Sequence, residues 1–313
     1  MEKVLVTGAR GFIGSQLCKR LAGSGVELHA VSRQPPADVP AWWQSIGGDE
    51  GYARRATAIR WWNVDLIDLQ ATRELIRTVQ PDTTYHLAGL ATSTGSFEMV
   101  LPILQNNFLT AFNLLLVTCE SGAGRIVLAG SVEEPDSPNP IPCSPYAAAK
   151  GATSAFARMF EALYQTEVVI AKIAMVYGPA QADLTKLVPY VITTFLRGER
   201  AKLSSSVRPV DWIYVDDVVD GLMDCAHASG ARGRTIDLGW GKVCTIREIV
   251  RRLRELIPDA PEPLFGAVPD RPLERVLKAD VATSCKLISW NPSTTLQAGL
   301  RRTVEWYRSR SGA

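Results

Sequence analysis

The chain has 313 residues, 46% of them hydrophobic, and 34 Lys plus Arg stand against 32 Asp plus Glu. That length can bury one large core or two smaller ones, and a net charge near zero gives no reason to expect nucleic acid or an anionic membrane as partner. Six cysteines (Cys18, Cys119, Cys143, Cys225, Cys244 and Cys285) show no C-x-x-C pair, and His29, His86 and His227 lie far apart, so no disulfide framework and no metal site are expected.

A short β-branched run at 3–7 opens the chain and leads through TGARGFIG into a helix at 12–23. Gly8 lets the chain turn sharply out of the strand. Gly11 leaves bare backbone beside a pyrophosphate, and Gly14 lets the helix pack closely on the strand. The helix N-terminus, at Phe12 and Ile13, then offers unpaired N–H groups to the anion. No leader is expected ahead of this turn, and no apolar run is read as approaching the ~20 residues that span a bilayer, so a cytoplasmic protein is expected.

Strands follow at 27–32, 59–64, 83–87, 125–130 and 168–175, alternating with helices at 69–79, 97–119 and 144–164. This order predicts an α/β fold with a doubly wound parallel sheet of the Rossmann type. Residues 35–58 break the rhythm and read as an inserted loop with an exposed Trp42-Trp43 pair. Beyond 175 the expected elements are a helix at 184–197, a strand at 211–215 and helices at 216–229, 245–257 and 295–309.

Tyr146 and Lys150 stand four apart on the expected 144–164 helix and so share a face, with Ser131 at the end of an apolar strand. A nearby ammonium favours the phenolate and should lower the tyrosine pKa, which makes a proton-transfer device beside a hydride carrier.

With these residues the chain resembles the extended short-chain dehydrogenase/reductase family, which includes NAD-dependent epimerases and dehydratases of nucleotide sugars. TGARGFIG, Asp65-Leu66, HLAGLA at 86–91, Asn107, VYGP at 176–179, DWIYVDDVV at 211–219 and LGWGKVCTIREI at 238–249 match its landmarks almost end to end. The resemblance implies Ser131, Tyr146 and Lys150 as catalytic residues. It implies cofactor contacts at Gly8, Arg10, Gly11, Phe12, Ile13, Gly14, Asp65, Leu66, Leu87, Ala88, Gly89, Ala91 and Asn107, besides Tyr146 and Lys150. It also implies a dinucleotide-binding domain over 1–170, with 211–237 returning to it, and a smaller interleaved substrate domain from 171–210 and 238–313. A homodimer through a four-helix bundle of the helices near 97–119 and 146–164 belongs to the same expectation.

Where NAD-specific members carry an Asp after the second strand, this chain reads Ser32-Arg33, and Arg10 sits inside the glycine turn. A hydroxyl and guanidinium groups favour a 2′-phosphate, so NADP is expected over NAD. The 4,6-dehydratases place an Asp-Glu pair after the catalytic hydroxyl residue. Here Glu133 keeps the base position, Val132 replaces the acid, and Glu134 reads as a solvated loop residue. Met175 replaces a family asparagine and Val210 a family arginine, with Arg208 two residues upstream. Substrate contacts are expected from Thr92, Ser93, Ser131, Glu133, Met175, Lys186, Leu187, Arg208 and Arg271. The leading expectation is an NADP-dependent reductase of a nucleotide-activated keto-deoxysugar. The alternative is a nucleotide-sugar 4-epimerase or 4,6-dehydratase that keeps its NAD(P) bound.

Overall fold

The computed structural model describes residues 1–48, 57–135, 141–273 and 275–310. Seven parallel strands form the main sheet: β1 (Lys3–Thr7), β2 (Glu27–Ser32), β3 (Arg60–Asn63), β4 (Thr83–His86), β5 (Arg125–Ser131), β6 (Val168–Ile173) and, far along the chain, β10 (Thr235–Leu238). Their order across the sheet is β10-β6-β5-β4-β1-β2-β3. The direction of winding reverses at β1, between β4 and β2, which is where such sheets open a crevice at the strand ends.

Helices cover both faces. One face carries α1 (Phe12–Leu21), α2 (Val39–Ser45) and α7 (Val215–His227); the other carries α3 (Leu69–Val79), α4 (Phe97–Ser121) and α5 (Pro145–Tyr164). Because successive strand residues point to opposite faces, Val4 and Val6 enter the core with α1, whereas Leu5 enters the core with α3 and α4.

Several elements depart from the sequence reading. The 35–58 stretch contains α2, capped by the Asp38 carboxylate, which accepts from Ala41 N at 2.9 Å. Its tryptophans are buried, Trp42 at 8% and Trp43 at 1% exposure, because α2 packs on the sheet and Trp42 meets Trp61 of β3 edge to face. Residues 49–56 of that stretch lie outside the described ones. The strand expected at 168–175 ends at Ile173, and β7 (Met175–Tyr177) leaves for a second sheet with β9 (Pro209–Tyr214) and β11 (Val243–Thr245). This sheet and helices α6 (Leu187–Leu196), α8 (Ile246–Leu256) and α10 (Leu296–Arg308) enclose a separate core around Tyr177, Ile192, Trp212, Leu253 and Leu300. The short pair β8 (Lys202–Leu203) and β12 (Leu264–Phe265), and the helix α9 (Val281–Ile288), were also absent from the sequence reading.

Contrary to the sequence expectation, α4 is long and apolar enough to cross a membrane by length and composition, with a mean hydropathy of 1.5. Its apolar side is used in packing: Ile103, Ala111, Leu114, Leu115 and Val117 are fully buried. A core helix passes the same test as a spanning one.

Candidate active site

Register builds the crevice. Thr7 pairs with His86, so the next residues, Gly8 and Leu87, leave their strands side by side. Gly8 adopts φ +68°, and a Cβ there would stand 2.6 Å from Ala88 N. A Cβ on Gly14 would stand 2.2 Å from the Gly8 carbonyl oxygen, so helix and turn touch backbone to backbone. Gly11 is the N-cap of α1, with no side-chain cap and no acidic residue in the first turn. The N–H groups of Phe12, Ile13 and Gly14 therefore lack helical acceptors at this end. A glycine-lined cradle with open N–H groups and no acid in the first helical turn fits a dinucleotide pyrophosphate.

Around the cradle, the Arg10 guanidinium donates to the Gln34 carbonyl at 2.6 Å, and the Ser32 hydroxyl donates to the same carbonyl at 3.1 Å. Arg33 is exposed beside them. Asp65 is exposed and caps Ile67 N, while Leu66 is buried. The Asn113 side chain, unnoticed in the sequence, fixes this loop by donating to the Leu66 and Ile67 carbonyls, both at 2.9 Å. On the other side runs the backbone of Leu87, Ala88, Gly89 and Ala91. Asn107 grips it: its amide oxygen accepts from Leu90 N at 2.6 Å and its amide nitrogen donates to Leu90 O at 3.0 Å. Asn107 lies in a π-helical stretch of α4, Leu104–Leu109, a local widening that is common at functional sites. Both of its amide atoms are engaged by the protein, so it fixes the loop after β4 through Leu90.

β5 extends beyond the end of β4 and carries Ser131 to the mouth of the crevice. Ser144 caps α5 by accepting from Ala147 N at 3.1 Å, and Pro145 opens the helix, which sets Tyr146 in its first turn. Lys150 follows one turn later. It is buried, donates to the Ala129 carbonyl at 2.6 Å, and its Nζ lies 5.9 Å from the Tyr146 ring centroid. Burial pushes the Tyr146 phenol well above its ordinary pKa; contact with the Ser131 hydroxyl opposes this, and Glu133 and Glu134 add to it. The lowering expected from Lys150 is not among these influences, and in the protein alone burial dominates. Burial also pulls the Lys150 ammonium down to about 8, against the attraction of Glu134.

Glu133 hangs into a cleft beside Ser131. Its N–H donates to Ser131 Oγ at 3.1 Å, and its carboxylate accepts from the Ser93 hydroxyl at 2.6 Å. Ser93, Glu133, Cys143, Arg208, Arg271 and Arg275 line this cleft together. The structure therefore gathers four of the expected substrate residues and adds Cys143 and Arg275, which carried no sequence signal. Arg208 Nη1 donates to the Arg275 carbonyl at 3.3 Å, so the displaced arginine does reach the cleft although Val210 is buried. Thr92, Met175, Lys186 and Leu187 are not among the described residues lining it. Met175 is 37% exposed at the start of β7. Lys186, the N-cap of α6, donates to the Ala91 carbonyl and so ties the loop after β4 to the second core; Leu187 follows it as the first residue of α6. Glu134 is not solvated, as the sequence had implied, but 3% exposed.

A parallel sheet wound in this order, a glycine cradle at its switch point and a Ser-Tyr-Lys cluster at the strand ends define an NAD(P)-dependent enzyme of the extended short-chain dehydrogenase/reductase type. A profile of the NAD dependent epimerase/dehydratase family matches residues 4–239, and the chain belongs to that family. It is 29% identical to the probable dTDP-glucose 4,6-dehydratase of Sinorhizobium fredii, over 97% of this chain and 92% of that one. It is 25% identical to the UDP-glucuronate 4-epimerase of Thermodesulfobacterium geofontis, over 98% and 96%. Among solved structures, the UDP-glucose 4-epimerase of Thermus thermophilus in complex with NAD superposes with a TM-score of 0.81, at 25% identity, covering 97% of this chain and 98% of the other. These relatives back the epimerase or dehydratase alternative over the reductase that led the sequence reading.

Proposed function

We propose that the chain is a nucleotide-sugar 4-epimerase that keeps its dinucleotide through the catalytic cycle. The observation that carries this reading is the cleft, where three guanidinium groups (Arg208, Arg271 and Arg275) gather beside Ser131 and Glu133. Guanidinium forks suit a diphosphate, which would hold the sugar against the Tyr146 end. The dinucleotide supplies reversible hydride acceptance at one sugar carbon. Tyr146 exchanges the proton of the hydroxyl on that carbon, the Ser131 hydroxyl holds the same oxygen, and Lys150 holds the nicotinamide-side ribose. No second acid or base is needed for inversion at that carbon.

A second reading, 4,6-dehydration, is favoured by one observation: Glu133 reaches the cleft with its carboxylate steadied by Ser93. Against it, Val132 packs on the hydrophobic core and leaves no acid in the position next to Ser131. The test offers UDP-glucose, UDP-glucuronate and dTDP-glucose to the purified protein without added cofactor, then identifies products and any dinucleotide released on denaturation. The expected result is a 4-epimer with released dinucleotide. A 4-keto-6-deoxy product would install Glu133 as the base of a dehydratase. Turnover only of a keto-deoxysugar nucleotide, with consumption of added NADPH, would restore the reductase.

The cofactor form follows from the end of β2, where Arg10, Ser32 and Arg33 stand and, among the described residues, no carboxylate does. That supports NADP, although the Thermus relative binds NAD. Arg33→Ala should shift the preference by ~1–3 kcal/mol toward NAD, the scale of a lost hydrogen bond to a charged group. Parallel titrations with both dinucleotides check it, and native protein that prefers NAD, unchanged by Arg33→Ala, would assign NAD.

The same reading includes a homodimer. Leu101 and Leu104 on α4, with Phe156 and Leu163 on α5, are exposed and would give a second copy an apolar face to pack on. It also places the protein in the cytoplasm, whose reducing conditions suit the six free cysteines.

A further inference from the structure

Directly behind Ser131 lies a carboxylate that the proposed reaction does not use. Glu134 is 3% exposed. Its Oε1 accepts from the Ser131 backbone N–H at 2.7 Å, and its Oε2 accepts from the Ser154 hydroxyl of α5 at 2.7 Å. It also crowds the strand end: a Cβ on Gly130 would stand 2.6 Å from Glu134 Oε1. Lys150 faces it from α5 and Lys172 from β6. Burial raises the Glu134 carboxyl above its ordinary range, and the Ser154 and Ser131 hydrogen bonds and the two lysines oppose that rise in favour of the carboxylate.

We propose that Glu134 is a positioning residue of the active site, fixing the backbone that presents Ser131 with one oxygen and facing Lys150 as its counter-charge. One carboxylate thereby couples the end of β5 to α5, the two elements that carry Ser131 and the Tyr146-Lys150 pair. The proposal rests on the reading of Ser131 and Lys150 as site residues. Among the described residues, the groups facing Lys150 are Glu134 from the turn after β5, His86 from β4 and the Tyr146 ring on its own helix. His86 is buried and held neutral by desolvation, its pKa pulled down to about 3, so Glu134 is the negative charge that favours the ammonium. Removing that charge lets Lys150 lose its proton at lower pH.

The test measures dinucleotide affinity against pH by quenching of tryptophan fluorescence, in wild type, Glu134→Gln and Ser154→Ala, with thermal melting recorded alongside. This readout needs no substrate, so it stands apart from whether the epimerase reading holds. The expected result is a loss of affinity at alkaline pH whose midpoint moves down by about one pH unit in Glu134→Gln, the scale on which a nearby charge acts. In Ser154→Ala the carboxylate stays but loses its anchor, and the midpoint should move the same way by less. A midpoint unmoved in both variants, even with lowered melting temperatures, would overturn the proposal and leave Glu134 a structural buried acid. If Glu134→Gln does not fold, the direction of the Ser154→Ala shift decides alone.

Discussion

Tyr146→Phe should bind dinucleotide almost as well as wild type and lose ~10²–10⁴-fold in turnover, the usual contribution of a general acid-base group. The structure gives the reason for both halves. The ring packs beside Lys150, 5.9 Å from ring centroid to Nζ, and phenylalanine keeps that contact. Only the hydroxyl is lost, and with it the group that takes and returns the proton of the substrate oxygen next to Ser131. Steady-state rates beside a dinucleotide titration check the split. Near-native turnover in the variant would move the proton transfer elsewhere, with Glu133 the next group in reach of the cleft.

Gly14→Ala should all but abolish dinucleotide binding. Its Cβ would come within 2.2 Å of the Gly8 carbonyl oxygen and 2.9 Å of the Gly8 carbonyl carbon. Both are backbone atoms of the phosphate turn, so no side chain can swing away. Either α1 retreats from the end of β1 or the turn distorts, and each removes N–H groups from the pyrophosphate. Overpacking of this kind costs ~1–3 kcal/mol or more, and the upper end corresponds to ~100-fold in affinity. Gly25→Ala is the control: it also has positive φ, but nothing lies within 4 Å of its Cβ, so it should strain the backbone locally and leave binding intact. Unchanged affinity in Gly14→Ala would remove the glycine turn from the cofactor site.

Both predictions concern residues that were legible in the chain. Their signals are local. The glycine spacing answers to a turn and a helix start a few residues apart, and Tyr146 and Lys150 share a face because α-helices repeat every ~3.6 residues. The alternation of apolar strands with amphipathic helices likewise needs no knowledge of neighbours, so the parallel sheet and most of its flanking helices were readable. What failed had its reason elsewhere in the chain. Trp42 and Trp43 looked exposed until Trp61 and the sheet came to meet them. β10 is four residues long and becomes a strand only by pairing with β6.

The amino-acid sequence by itself therefore determined the fold class, the glycine turn after β1 and the approach of Ser131, Tyr146 and Lys150, because turn geometry and helical period are properties of neighbouring residues. Tertiary structure alone decided the rest of the site. Glu134 is a buried clamp instead of a solvated acid because Ser154, 20 residues on, and the Ser131 backbone close around it. Arg275 enters the cleft because its guanidinium reaches the Ile141 carbonyl, 134 residues away, at 2.9 Å. The solvation and charge partners of a side chain are set by whatever the fold brings against it, and no local pattern records that.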